Sequence, residues 1–108
     1  MPLMVDTLAR LEQTIRARRG ADAATSYVAK LTAKGRRKIA QKLGEEATET
    51  VIAALTEDKK ALTGEAADLL FHLLVLLADC DVSLHEVLAE LDAREGVSGI
   101  AEKASRKE

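Results

Sequence analysis

Five acids at two matched spacings are the residues best placed to do chemistry: Glu45, Glu46 and Glu49 in the pattern EExxE, then Glu65 and Asp68 in the pattern ExxD. A separation of three makes Glu46 and Glu49 neighbours on one helix face, and Glu65 and Asp68 neighbours on another. With a turn centred on Glu57, Glu49 lies eight residues before it and Glu65 eight after, while Glu46 lies eleven before and Asp68 eleven after. In an antiparallel hairpin the two pairs therefore sit at one height. Helix axes ~8–10 Å apart then let four carboxylates converge. The like-charge pairs Glu45/Glu49 and Glu65/Asp68 support neither helix. Glu46 on the edge of an apolar face and Asp68 beside LLFHLLVLL are costly without a counter-charge. A divalent cation supplies that charge, and all-oxygen ligands suit Mg²⁺ or Mn²⁺. The competing reading is a solvated face, with Lys42 and Glu46 as an ordinary i, i+4 pair.

A basic stretch of Lys34, Arg36, Arg37, Lys38 and Lys42 precedes the acids. Lys38, Lys42, Glu45 and Glu49 stand at i, i+4, i+7 and i+11, one continuous stripe, and Lys30 can join it from the preceding segment. Lysines beside a carboxylate-bound metal are what a polyphosphate requires, because the metal bridges phosphate oxygens and the lysines neutralise the rest. Alone, the stripe reads equally as solvated Lys–Glu pairs. There is no Walker A sequence or Gly-rich phosphate loop. No Ser/His/Asp or Cys/His set points to covalent catalysis. A di-iron bundle needs Glu-x-x-His, and none of these acids has His three residues later. His72, four after Asp68, reads as a hydrogen-bonded core histidine, His85 as exposed and Cys80 as a buried small hydrophobe.

The elements that must position these groups are helical. Ala and Leu number 19 and 16 of 108 residues, aromatics are 2%, and there is one Pro. These are strong helix formers with few strand formers, so a sheet protein is excluded. The periodicity predicts an amphipathic helix over 5–18, a short helix over 26–33 broken by Gly35, and a long helix over 36–56 with a stripe of Ile39, Leu43, Ala47, Val51 and Ala54. A helix over 59–80 is apolar nearly all round. It therefore belongs inside a bundle or between subunits, with Phe71, Leu74 or Val75 at a homodimer interface. Ser83 with Glu86 forms a capping box for a last helix carrying Leu84, Val87, Leu88 and Leu91. The chain reads as a single domain, 1–108, with 96–108 as a partly ordered polar tail.

Net charge is −2, from 18 acids and 16 bases, which argues against a nucleic-acid or anionic-membrane binder. One cysteine excludes an internal disulfide and a Cys-rich zinc site and fits a cytoplasmic protein. The N-terminal segment has no apolar run suited to a signal peptide, and the ten-residue stretch 69–78 is short for a membrane span.

At EExxE followed by ExxD the sequence resembles the all-α, MazG-like nucleoside-triphosphate pyrophosphohydrolases. SYVAKLTAKGRRKIAQKLGEEATETVIAAL and EAADLLFHLLVLLADCDVSLHEVLAEL narrow the likeness to the phosphoribosyl-ATP pyrophosphatase family, from about Leu8 to Leu91, and the tail GVSGIAEKASR is similar as well. The resemblance implies a dimeric bundle of four to five helices. It implies Mg²⁺-dependent hydrolysis of phosphoribosyl-ATP to phosphoribosyl-AMP and pyrophosphate, the second step of histidine biosynthesis. It carries metal binding onto Glu46, Glu49, Glu65 and Asp68. Lys30, Lys38 and Lys42 become candidate phosphate contacts. Glu45 becomes a candidate to orient the attacking water or to bind a second metal, and Glu49 is the other candidate to orient the water. Val28 stands where Thr is expected and Leu43 where Val is common. The rival readings are a housecleaning nucleotide pyrophosphatase of the same superfamily and a non-catalytic helical dimerisation module.

Overall fold

A computed structural model describes residues 3–95, with side chains from Thr7 onward; the expected polar tail lies outside the described residues. The described chain forms five helices and no strand: α1 (Leu3–Arg18), α2 (Tyr27–Lys34), α3 (Arg36–Thr56), α4 (Lys59–Asp79) and α5 (Leu84–Arg94). The boundaries follow local chemistry. Ser26 caps α2, its hydroxyl accepting from the Ala29 N–H at 3.2 Å, and Asp58 caps α4 through the Ala61 N–H at 2.9 Å. Gly35 ends α2 and starts α3 at φ 99°, in a region that L side chains rarely occupy. Ser83 and Glu86 form the full capping box that starts α5.

α3 and α4 make the most extensive helix pair, an antiparallel hairpin, with α2 packed on α3 and α1 on α4. Ile15, Val28, Leu31, Ile39, Leu74, Val75, Ala78 and Leu84 make one buried cluster from all five helices. Polar ties close its lower end. Arg19 and Arg36 donate to the Asp79 carboxylate at 3.1 Å and 2.7 Å. Arg16 donates to the Val82 carbonyl, and the Glu12 carboxylate accepts from the Leu84 N–H at the start of α5. α4 is the one described helix long and apolar enough, by length and composition, to cross a membrane. In the fold it is the inner strut of the bundle, carrying Leu74, Val75 and Ala78 into the core.

Three expectations are corrected. Cys80 is exposed, because α4 ends at Asp79 and Cys80 falls in the C-cap beyond the core stripe. Leu74 and Val75 are 4% and 1% exposed within their own chain, so they are core residues, and Phe71 packs partly buried against that core. On α3 the buried line is Ile39, Glu46 and Ala53, while Val51 is 57% exposed and Ala54 is exposed. Steps of four advance about 40° beyond full turns at 3.6 residues per turn, so Val51 lies about 120° round from Ile39. Glu46 and Ala53, seven and fourteen residues on from Ile39, return to within about 40° of it.

Candidate metal and polyphosphate site

Glu46 follows Ile39 by seven residues, so the line that fills the core delivers a carboxylate into the α3–α4 seam. Glu46 is 8% exposed. Glu49, one turn on, is exposed, and Glu65 reaches across from α4, partly buried. Carboxylate oxygens of Glu46, Glu49 and Glu65 lie within 4.8 Å of one another. The register is pinned by Thr50, whose hydroxyl lies 2.8 Å from the Glu46 carbonyl of its own helix and 3.2 Å from the Glu65 carbonyl of α4. This is the level at which equal distances from Glu57 place Glu49 opposite Glu65.

Lys42 offsets Glu46 electrostatically but forms its ion pair with Glu45. Glu46 Oε1 and Glu65 Oε1 are buried without a hydrogen-bond partner. Such atoms cost free energy unless a proton or a cation meets them. Burial pushes the Glu65 carboxyl above its usual range, and the neighbouring Glu49 and Glu46 push it further. Three hard oxygen donors converging with two unpartnered oxygens fit a small divalent cation such as Mg²⁺. Asp68 is exposed, one turn beyond Glu65, and does not join the three.

Beside the acids, α2 and α3 enclose a cleft of about 270 Å³ lined by Lys30, Lys34, Lys38, Lys42, Tyr27 and Glu45. All three predicted lysines are in it. Lys30 and Lys34 are one turn apart on α2, and Lys38 and Lys42 one turn apart on α3, so Gly35 folds two lysine pairs toward each other. Glu45 borders the same cleft. Its carboxylate accepts from Gln41 Nε2 at 2.8 Å and lies 3.4 Å from Lys42 Nζ. The Gln41 bond, with Lys42 and Lys38, holds Glu45 below the usual carboxylate range despite its partial desolvation. The Tyr27 oxygen first, and then Glu45, hold Lys42 above the usual lysine range. Both groups therefore stay charged at neutral pH.

Tyr27 is the cleft residue that the motif pattern does not select, and Lys34 belongs to the basic stretch without being one of the candidate phosphate contacts. Their signal is spacing: Tyr27 is three before Lys30 and Lys34 four after it, so all three share one face of α2. Arg36 belongs elsewhere, bound to Asp79. His72 is a core histidine as expected, 6% exposed with both ring nitrogens bonded, and His85 is exposed.

An all-helical fold that aims carboxylates into a hairpin seam, with a lysine cleft adjoining, has the donor groups that the class of polyphosphate hydrolases requires. Comparison with known proteins narrows the class. A sequence model of the phosphoribosyl-ATP pyrophosphohydrolase family matches residues 8–95. Relatives named phosphoribosyl-ATP pyrophosphatase match along almost their whole length. The one from Rhizorhabdus wittichii is 68% identical over 103 residues, 95% of this chain and 97% of its own. The one from Novosphingobium aromaticivorans is 69% identical over 101 residues, 94% of each. A third, from Dinoroseobacter shibae, is 62% identical over 102 residues, 94% of this chain and all of its own. The chain belongs to the phosphoribosyl-ATP pyrophosphohydrolase family.

Proposed function

We infer that this chain hydrolyses the α–β anhydride of phosphoribosyl-ATP to phosphoribosyl-AMP and pyrophosphate, in histidine biosynthesis, as a cytoplasmic homodimer that uses Mg²⁺. The observation that carries this reading is the group of three carboxylates with two unpartnered oxygens, set beside a cleft of four lysines in a member of this family. Glu46, Glu49 and Glu65 would hold the cation, and the ExxD spacing assigns Asp68 as a fourth ligand. When bound, the cation supplies Lewis acidity toward phosphate oxygens and lowers the pKa of a water.

The side chains divide the remaining work. Lys30, Lys38 and Lys42 hold the polyphosphate and take up charge on pyrophosphate as it leaves. Glu45, kept ionised by Gln41 and Lys42, is an acceptor suited to orienting the attacking water; Glu49 is the second candidate for that role. The whole described chain, with its one core, acts as a single domain. The test is a product assay with phosphoribosyl-ATP and Mg²⁺, run beside canonical and modified nucleoside triphosphates. Pyrophosphate and phosphoribosyl-AMP in equal amounts, with the panel turned over far more slowly, is the expected result. Orthophosphate as the primary product would overturn the bond assignment. Preference for a modified triphosphate would point to a housecleaning enzyme.

A further inference from the structure

The chain's single Tyr and single Phe meet beside the lysine cleft. The Tyr27 and Phe71 rings stack with centroids 6.0 Å apart and planes at 28°. His72 meets both edge-on, at 5.7 Å and 5.1 Å. A carbonyl only accepts, so His72 Nδ1 donates to the Asp68 carbonyl at 2.8 Å, and Nε2 is left to accept from the Tyr27 hydroxyl at 2.9 Å. The histidine thus fixes the hydroxyl end of Tyr27 and Phe71 its ring plane. A ring held this way loses little conformational freedom when something binds to it.

Tyr27 is nonetheless 48% exposed. Its arrangement inverts the usual one, in which the apolar ring is buried and the hydroxyl reaches water. Tyr27 also lines two concavities. One is the lysine cleft; the other is a groove of about 580 Å³ formed with Ala23, Ala24, Thr25 and Ser26. Lys30 lines both, so a molecule whose polyphosphate occupies the cleft has room for its organic end across Tyr27.

We propose that the exposed face of Tyr27 is the stacking platform for the purine base of the nucleotide, with the groove at residues 23–26 receiving the nucleoside. This rests on the polyphosphate reading of the cleft given above. The test is steady-state kinetics on phosphoribosyl-ATP for wild type, Tyr27→Phe and Tyr27→Leu. Tyr27→Leu should raise KM about tenfold or more, within the range that base–aromatic stacking covers, with kcat little changed. Tyr27→Phe, which keeps the ring, should recover most of that loss. Equal losses in the two variants would assign the effect to the hydroxyl and overturn the proposal, as would an unchanged KM in Tyr27→Leu.

A second measurement needs no variant. With no Trp and one Tyr in the chain, intrinsic fluorescence reports Tyr27 alone. Phosphoribosyl-ATP without metal should quench it saturably, after correction against free tyrosine amide, and inorganic tripolyphosphate should not. Equal responses to both, or none to the nucleotide at concentrations that saturate the enzyme, would overturn the platform. Wild type that binds and quenches but does not hydrolyse would instead overturn the reaction assigned above.

Discussion

At the scale of single residues, the carboxylate group is electrostatically incomplete. Glu46, Glu49 and Glu65 crowd one point, Lys42 acts electrostatically on Glu46 alone of the three, and burial together with the two neighbours disfavours ionised Glu65. Removing one charge should therefore relax the metal-free protein while removing a ligand. Glu49→Gln and Asp68→Asn, both at exposed positions, should leave the helical content intact and raise the metal-free melting temperature slightly. Activity should fall at least ~100-fold, since loss of even an outer-shell partner commonly costs ~10–100-fold. Mg²⁺ at a hundred times its dissociation constant should stabilise wild type by about 2.7 kcal/mol and the variants much less, measured by thermal melts with and without the ion. Equal shifts in all three proteins would remove these positions from the ligand set. Asp68 is the sharper case, because it stands outside the three-carboxylate group and only its motif spacing assigns it.

At the scale of elements, the hairpin register is legible in the sequence. Equal counts from Glu57 put Glu49 level with Glu65, and the Thr50 contact to the Glu65 carbonyl confirms that level. The capping box at Ser83 and Glu86 was equally legible, because it depends on only four residues. The stripe of α3 was not: counting in fours drifts round the helix, so Val51 and Ala54 were placed inside and Ala53 missed. The lysine cleft was half legible. Lys38 and Lys42 share a helix with the acids, but Lys34 and Tyr27 reach the cleft only because of how Gly35 turns α2 against α3.

That turn carries its own prediction. A Cβ at residue 35 would meet nothing within 4 Å, so any cost of Gly35→Ala comes from the backbone at φ 99°. The expected loss is about 1–3 kcal/mol in chemical denaturation. A rise in KM should accompany it as the cleft changes shape; a loss below ~0.5 kcal/mol would mean that the turn relaxes freely. The start of α5 gives a pH dependence. Hydrogen bonds from Ser83, its backbone N–H foremost, hold the Glu86 carboxyl below its ordinary value of 4.5. A depressed folded-state pKa contributes stability that is present above the unfolded value and is lost as pH falls through the folded one. Urea melts should show Glu86→Gln costing stability at neutral pH and progressively less below about pH 4.5. A difference that stays constant across that range would separate the capping box from ionisation.

At the scale of the whole molecule, the proposed homodimer requires an apolar contact face, and the described chain leaves two groups of large apolar side chains exposed. Leu70 and Leu91 are 46% and 57% exposed, and they border a groove of about 200 Å³ lined wholly by apolar side chains, among them Leu8, Leu73, Leu77 and Leu88. At the other end of the hairpin Val51, Ile52 and Leu55 are 57%, 47% and 78% exposed. Scattered exposed leucines are ordinary, but contiguous patches of this kind mark contact surfaces. Val75 faces inward, and Leu74, though buried, lines the floor of the α4–α5 groove, so a second copy proposed to dock on α4 would meet this groove around Leu70. Sedimentation equilibrium at micromolar concentration and neutral pH should give twice the chain mass. Leu70→Glu places a charge on the wall of that groove. An unpaired buried charge costs several kcal/mol, so the dimer dissociation constant should rise at least about a hundredfold. The side chain is half exposed within its own chain, so circular dichroism should show the helices retained. A monomeric wild type would sink the dimer outright. A Leu70→Glu protein that remains dimeric would move the interface to the Val51–Leu55 end of the hairpin.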